Sequence, residues 1–417
     1  MKIGVISWGF PPIAGGVEMH LVMICPEMIK LGAEVVVLTA AVKNEPEREK
    51  LAGVPVRRSE MLSVSHLESL KKEKKDIYGM ARKLFEEFIN EEKIEIIQAH
   101  NLLMDYYDLS RALTDVCKEK KIPCYLIIHN DKFIDRDNSV VLRILSELPW
   151  DKLVSISKYV EGSLRSMASN VSEDKWMTIL HGIDLDMFVP FTEKEKEKFK
   201  GKYGFAKRRV ILHPARIMPW KGIIPAVKAL PEIIAEFPDV LMVLTGRTDV
   251  IFKEPEEIRK YNEELDRTIK ELGVEKNVHI GDYDYEDIPK LTALSDVAIY
   301  TTIGDEPFGL CPVEAMACKV PQIVTSSGGL VESVQDSVTG FIISKEEEKI
   351  PKQLAECVLR IFRSKELARK MGGAGRAHAE KVFSKTRMAR DFIVLSEELL
   401  KSKGAENDNR GRSSTTG

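Results

Sequence analysis

Short, unbroken runs of valine, isoleucine and leucine recur along this chain, each followed by a stretch whose apolar residues return every three to four positions. Strands that are apolar on both faces must be covered on both faces. In a chain that alternates them with amphipathic helices, a parallel sheet with helices above and below meets that requirement. In the first half the runs are Lys2 to Trp8, Ala33 to Thr39, Ile94 to His100, Pro123 to His129 and Lys152 to Ser157. In the second half they are Arg209 to Ala215, Val240 to Gly246, Asn277 to Gly281, Asp296 to Thr302, Pro321 to Thr325 and Gly340 to Ile343, with helices such as Asp287 to Leu294 and Lys352 to Phe362 between them. At 417 residues the chain exceeds what one core commonly supports. The expectation is α/β, with two doubly wound Rossmann-like domains.

The rhythm breaks between Asp186 and Lys207, where Pro190 and the lysine- and glutamate-dense stretch Glu193 to Lys202 intervene. This predicts an N-terminal domain over residues 1–190 and a C-terminal domain over 205–383. A last helix over 384–402 follows, capped by Ser384 and carrying Met388, Phe392, Leu395 and Leu399 as an apolar stripe. Residues 404–417 are small and polar, and are expected to be disordered. Ligands of open parallel sheets sit outside the carboxyl ends of the strands, so two such domains facing a central cleft would bring their βα loops into one crevice.

Composition excludes several classes. With 44% hydrophobic residues, 30% charged residues and a net charge of −3, the chain is neither a nucleic-acid binder nor disordered. Met1 leads straight into an apolar run interrupted by Gly9 and Pro11, not into a signal peptide, and no run approaches membrane-spanning length, so a cytoplasmic location is expected. The six cysteines form no Cys-x-x-Cys pair and have no histidine cluster nearby in sequence, which predicts free thiols rather than zinc or disulfides. Lys71, Lys72, Lys74 and Lys75 could meet an anionic membrane surface, but Glu73 and Asp76 dilute them and a solvated face is favoured.

The most informative motif is Glu306-Pro307-Phe308-Gly309-Leu310-Cys311-Pro312-Val313-Glu314. A turn at Phe308 to Leu310 ahead of a helix leaves amides without intrahelical acceptors, and Pro312 is welcome at a first helical position, so the turn can receive phosphate. Glu306, before the turn, can accept hydrogen bonds from sugar hydroxyls, and Glu314, inside the helix, from a ribose. The loop Gly9 to His20 carries Gly15 and Gly16, which let backbone approach a ligand closely ahead of a helix start. It lacks the Gly-x-Gly-x-x-Gly spacing of a dinucleotide site. Pro26 falls inside the helix that should follow and should disturb it. Gly246-Arg247 ends another strand and could face a nucleotide base.

These residues resemble the signatures of retaining glycosyltransferases of GT-B fold, family four (glycosyl transferases group 1), along nearly the whole chain. By that resemblance Arg216 and Lys221, in His213 to Gly222, would hold the donor diphosphate, whose negative charge grows as the glycosidic bond breaks. His129 would reach the transferred sugar, with His100 in a looser acceptor-side or structural role. Leu180 to Asp184 resembles a Pro-Asn-Gly-Ile-Asp turn with His181 in place of Asn, so His181 is expected to be structural. Ser326 to Glu332 is similar to a Gly-Gly loop near the base or ribose, and the terminal helix would cross back to the first domain.

The implied activity is transfer of a hexose from a nucleoside diphosphate sugar to an acceptor hydroxyl with retention and without a metal. The acceptor would be a sugar, a small polyol or a lipid-linked hydroxyl. Glu306, His129, Arg216 and Lys221 would be catalytic, and Gly15, Gly16, Gly246, Phe308, Gly309, Leu310 and Glu314 would bind the donor. A nucleotide-sugar 2-epimerase or hydrolase, or a non-catalytic nucleotide-sugar sensor, are the alternatives.

Overall fold

A computed structural model describes residues 1–13, 15–102, 106–131, 138–246 and 256–413. Two compact units emerge, one made of Met1–Gly182 with Lys385–Gly417, the other of Ile183–Ser384. The division falls about ten residues before the lysine-rich stretch, which forms the helix Glu193–Lys202 inside the second unit.

The first unit holds an eight-stranded sheet: β1 (Lys2–Ser7), β2 (Glu34–Ala40), β3 (Arg48–Leu51), β4 (Val54–Ser59), β5 (Ile96–His100), β6 (Cys124–Ile128), β7 (Lys152–Ser155) and β8 (Trp176–Thr178), in the order β3-β4-β2-β1-β5-β6-β7-β8. All neighbours are parallel except β3 and β4. The expected apolar runs became β1, β2, β5, β6 and β7. The β3–β4 hairpin and β8 had no such signal: β3 reads Arg-Glu-Lys-Leu, and β4 buries Arg57 and Arg58, which are matched to Glu91 and Glu49. Ala52 and Gly53, both at positive φ, close the hairpin.

The second unit holds six parallel strands, β9 (Arg209–His213), β10 (Val240–Thr245), β11 (Val278–Gly281), β12 (Val297–Tyr300), β13 (Gln322–Thr325) and β14 (Gly340–Ile343), in the order β11-β10-β9-β12-β13-β14. Every one matches an apolar run read from the sequence. Its core joins Ile211, Met242, Val297 and Ile323 of the sheet to Ile223, Leu230, Leu354 and Val358 of the covering helices.

In each sheet the chain winds outward to one side, then returns to the middle and winds to the other. The reversals lie between β1 and β5 and between β9 and β12. At such a point the loops leaving two adjacent strands diverge, which opens room for a ligand beyond the strand ends.

Three local expectations need correction. Pro26, expected to disturb its helix, leaves it continuous as Gly16–Lys30; the ring deprives the Val22 carbonyl of one donor, and burial of Leu21, Ile24, Cys25 and Met28 outweighs that cost. The lysine cluster is not one helical face, because the helix Val64–Lys72 stops before Lys74, which sits at φ 54°. The segment 404–417, expected to be disordered, is helical through Ser413 as the continuation of Lys385–Ser413. Met388, Phe392, Leu395 and Leu399 of that helix are all buried, and it packs on Gly16–Lys30 in the first unit. Among the described residues no helix is long and apolar enough to cross a membrane. Replacing Phe392 by alanine removes a fully buried ring and should lower the unfolding free energy of the first unit by about 3–5 kcal/mol in denaturant titration.

Candidate functional site

The second unit's reversal point carries most of the predicted site. Beyond β9 the chain turns through Pro214 to Met218 into a short 3-10 turn, Pro219–Lys221, closed by Gly222 at φ 65°. No other residue fits there, since a Cβ would lie 1.9 Å from the Thr301 carbonyl oxygen. Thr301 Oγ1 donates to the Gly222 carbonyl and Thr302 Oγ1 to that of Trp220, each at 2.9 Å. The β9 loop is thereby fastened to the β12 loop, and Lys221 meets Glu306: Nζ to Oε2 is 2.6 Å.

Tyr300, the last residue of β12, completes this contact. Its hydroxyl donates to Glu306 Oε2 at 3.0 Å and accepts from Lys221 Nζ. Burial, with the Glu306 carboxylate beside it, holds the phenol well above its ordinary range, so it stays protonated and acts as donor. The sequence did not single out Tyr300, because a tyrosine ending an apolar strand has the signature of a core residue. His213, at the end of β9, is buried against Thr301 Oγ1 at 3.1 Å, and burial, aided by Lys221, depresses it to about 4.

The Gly309 turn is locked from behind. Gly309 has φ 81°, and Gly328 (φ 47°) and Gly329 press on the Glu306–Phe308 backbone, where Gly329 donates to the Glu306 carbonyl at 2.7 Å. Cβ atoms on Gly328 and Gly329 would fall 2.2 Å and 2.4 Å from the carbonyl oxygens of Glu306 and Pro307. The Gly-Gly loop, expected near the base or ribose, thus also shapes the turn. The helix is Leu310–Ala317, which puts Pro312 at its third position instead of its first. The amides of Gly309 and Leu310 still precede any intrahelical acceptor. Leu310 is partly exposed, whereas Phe308 is buried against Phe383 at 5.9 Å, so its ring serves the core.

Glu314 sits in that helix with its carboxyl desolvated, which raises it to about 7. Arg216 is exposed and has no ion pair among the described residues. Gly246, at φ 77°, donates to the Gly281 carbonyl and accepts from the Ile217 amide, tying three strand ends together. Arg247 lies outside the described residues.

In the first unit, Gly15 and Gly16 are exposed at the start of Gly16–Lys30. The Glu18 carboxylate lies beside Gly9 and Gly15, so close that a Cβ on either would strike it. His100 ends β5 and His129 follows β6. Both are buried, and both belong to a group with His20 and His181. His100 Nδ1 to His129 Nε2 is 3.0 Å, His129 Nδ1 to His181 Nε2 is 3.3 Å, and His181 Nδ1 to His20 Nδ1 is 3.1 Å. Burial drives all four below the ordinary imidazole range, His100 and His181 to about 3. The sequence reading named His129 and His100 singly. It missed the group, because its members are spread over 161 positions between His20 and His181.

Two parallel α/β sheets with their polar residues beyond the strand ends are the architecture of GT-B glycosyltransferases. A Glycosyltransferase Family 4 model matches residues 14–187 and a Glycosyl transferases group 1 model matches residues 195–378. The chain belongs to this family of group 1 glycosyltransferases. It is 26% identical over 420 residues to spore coat protein SA of Bacillus subtilis, covering 95% of this chain and 99% of that protein. In fold it is similar to sucrose-phosphate synthase from Thermosynechococcus elongatus, with TM-score 0.75, 20% identity, and 96% and 99% of the two chains covered. Anabaena HepE, solved in complex with UDP, is also similar, with TM-score 0.72, 18% identity, and 95% and 100% covered.

The raised Glu314 carboxyl makes a pH prediction. Between about 4.5 and 7 the unfolded chain releases a proton that the folded protein keeps, so stability falls as pH rises through this window and levels off above it. Relative to Glu314→Gln, the native protein should lose about 3 kcal/mol across that range in chemical denaturation.

Proposed function

We propose that the protein is a retaining hexosyltransferase that moves a hexose from a nucleoside diphosphate sugar to an acceptor hydroxyl without using a metal for the transfer. The observation that carries this reading is the Lys221–Tyr300–Glu306 cluster beside the glycine-backed turn. It joins a cation suited to a diphosphate with a carboxylate suited to sugar hydroxyls, next to backbone amides that can meet phosphate oxygens. The UDP of the HepE complex supports a nucleoside diphosphate ligand for a fold of this kind.

In the free protein Lys221 and Glu306 satisfy each other, so neither charge is stranded in a part-buried place. When donor binds, Lys221 and the exposed Arg216 oppose the charge of the diphosphate, and the Gly309 and Leu310 amides take its oxygens. Glu306 orients the hexose, Glu314 the ribose, and His129 contacts the hexose. The bond from the anomeric carbon to the phosphate oxygen breaks as the acceptor oxygen attacks from the same face, and the acceptor's proton passes to the departing phosphate. Charge on that leaving group is greatest in the transition state, so fixed cations lower the barrier. Gly15, Gly16 and Gly246 would offer only backbone.

A second reading, an epimerase or hydrolase, draws support from Glu314. A buried carboxyl raised to about 7 can exchange protons near neutral pH. Release of nucleoside diphosphate, followed over a donor panel in EDTA with and without hydroxyl acceptors, separates the readings. Acceptor-dependent release is the expected result; acceptor-independent release would support hydrolysis, and binding without release a sensor. Lys221→Ala and Glu306→Ala should each lower turnover at least about a hundredfold while the protein stays folded by circular dichroism. Tyr300→Phe keeps the ring but removes the hydroxyl that steadies both charges, and kcat/KM for donor should drop by about ten- to a hundredfold.

A further inference from the structure

Arg58 occupies an unusual place in the first unit. It is the penultimate residue of β4, and its side chain is only 1% exposed. Glu49 of β3 braces the guanidinium: Nε and Nη2 both donate to Glu49 Oε1, at 2.8 and 2.6 Å. The same Nη2 donates to the Pro11 carbonyl at 2.5 Å, across 47 positions of sequence. Nη1 is buried without a partner, and so is the hydroxyl of Thr39, the β2 residue in register with Arg58. A buried guanidinium with donors left over is a poor choice for stability, because an apolar side chain of similar volume would fill the place without that penalty. What the apolar side chain could not do is hold a loop by its carbonyl.

The loop in question leads to Gly15 and Gly16. Pro11 and Pro12 have no N–H to donate to a ladder. Among the described residues the backbone of 9–13 makes one bond of its own, from the Ile13 amide to the Phe10 carbonyl at 3.1 Å, and the Arg58 contact ties it to the sheet. Phe10 is buried, whereas Pro12, Ile13, Gly15 and Gly16 are exposed, so the segment has one packed end and one open end. We propose that Arg58, braced by Glu49, is a positioning residue for the transfer: it fixes the Pro11 carbonyl and so sets where the Gly15 and Gly16 backbone meets the donor. The inference rests on the donor role proposed for those glycines. The geometry calls for a planar fork, since Nε holds the plane against Glu49 while Nη2 reaches Pro11. Lysine supplies the charge without the fork. Local sequence gave no sign of this role, because two adjacent arginines after Val54-Pro55-Val56 have the look of a solvated strand end, and the loop they serve lies far upstream.

Hydrogen exchange read by mass spectrometry on the full-length protein tests the clamp, with Arg58→Lys and the volume-conserving Arg58→Met as variants. Peptides spanning residues 9–20 should exchange at least about fivefold faster in both, while peptides from β5 and β6 keep their native rates. In the nucleoside diphosphate release assay, KM for the donor should rise about tenfold with kcat within about threefold of native. A residue that served stability alone would loosen the sheet peptides and leave KM unchanged. Native exchange over 9–20 in a folded variant overturns the clamp, and faster exchange with an unchanged KM overturns the positioning role. Should no donor be turned over by the native protein, the transferase reading fails and the exchange comparison alone decides whether Arg58 holds the loop. If one variant does not fold, the other decides.

Discussion

The second unit depends on a single adjacency, that of β9 and β12. These strands follow one another in the sheet but lie far apart in the chain, and the loops leaving them carry opposite charges: Lys221 beyond β9, Glu306 beyond β12. A lysine and a glutamate this close in a part-buried place must neutralise each other or be displaced toward water. The Tyr300 hydroxyl holds both, and the threonines after β12 fasten the lysine loop. Glycines supply the remaining tolerance, since Gly222 and Gly328 occupy places where any Cβ would meet backbone oxygen. A polar site is thus built without loose parts, with its charges held against each other.

The first unit solves a different problem at its own reversal point. Four rings with both donors and acceptors are packed where water is excluded, and their mutual contacts absorb most of the polar demand. Desolvation keeps the rings neutral, so lone pairs persist inside the unit at ordinary pH. Neutral imidazole is a hydrogen-bond partner for a sugar hydroxyl. The chemistry of the group follows from burial more than from any single residue.

The sheets were readable because apolar runs of strand length have few other solutions in a chain with helices between them. All six strands of the second unit and five of the first carried that signal. The strands without it were the ones held by compensation. β4 buries two arginines only because Glu49 and Glu91 reach them from elsewhere, and β8 is three residues long. Pro312 read as the first helical residue, yet it lies at the third position, where its missing donor still costs nothing because the first-turn amides have no intrahelical acceptor. The acid, turn and acid of residues 306–314 was legible as a motif, while the packing around it was not. Phe308 went to the core, and the Gly328–Gly329 loop went to the back of the turn.

Local sequence by itself determined what each segment had to bury, and with it the two parallel sheets, the helices that cover them and the positive-φ turn at Gly309. Periodicity and turn chemistry act over a few residues and can be read there. Tertiary structure decided which distant residues share a site. The Tyr300 bridge between Lys221 and Glu306 needs β9 beside β12, and the histidine group needs four separate elements to end at one place. Hydrogen bonds and desolvation depend on distance in space, and only the folded sheet order sets that distance.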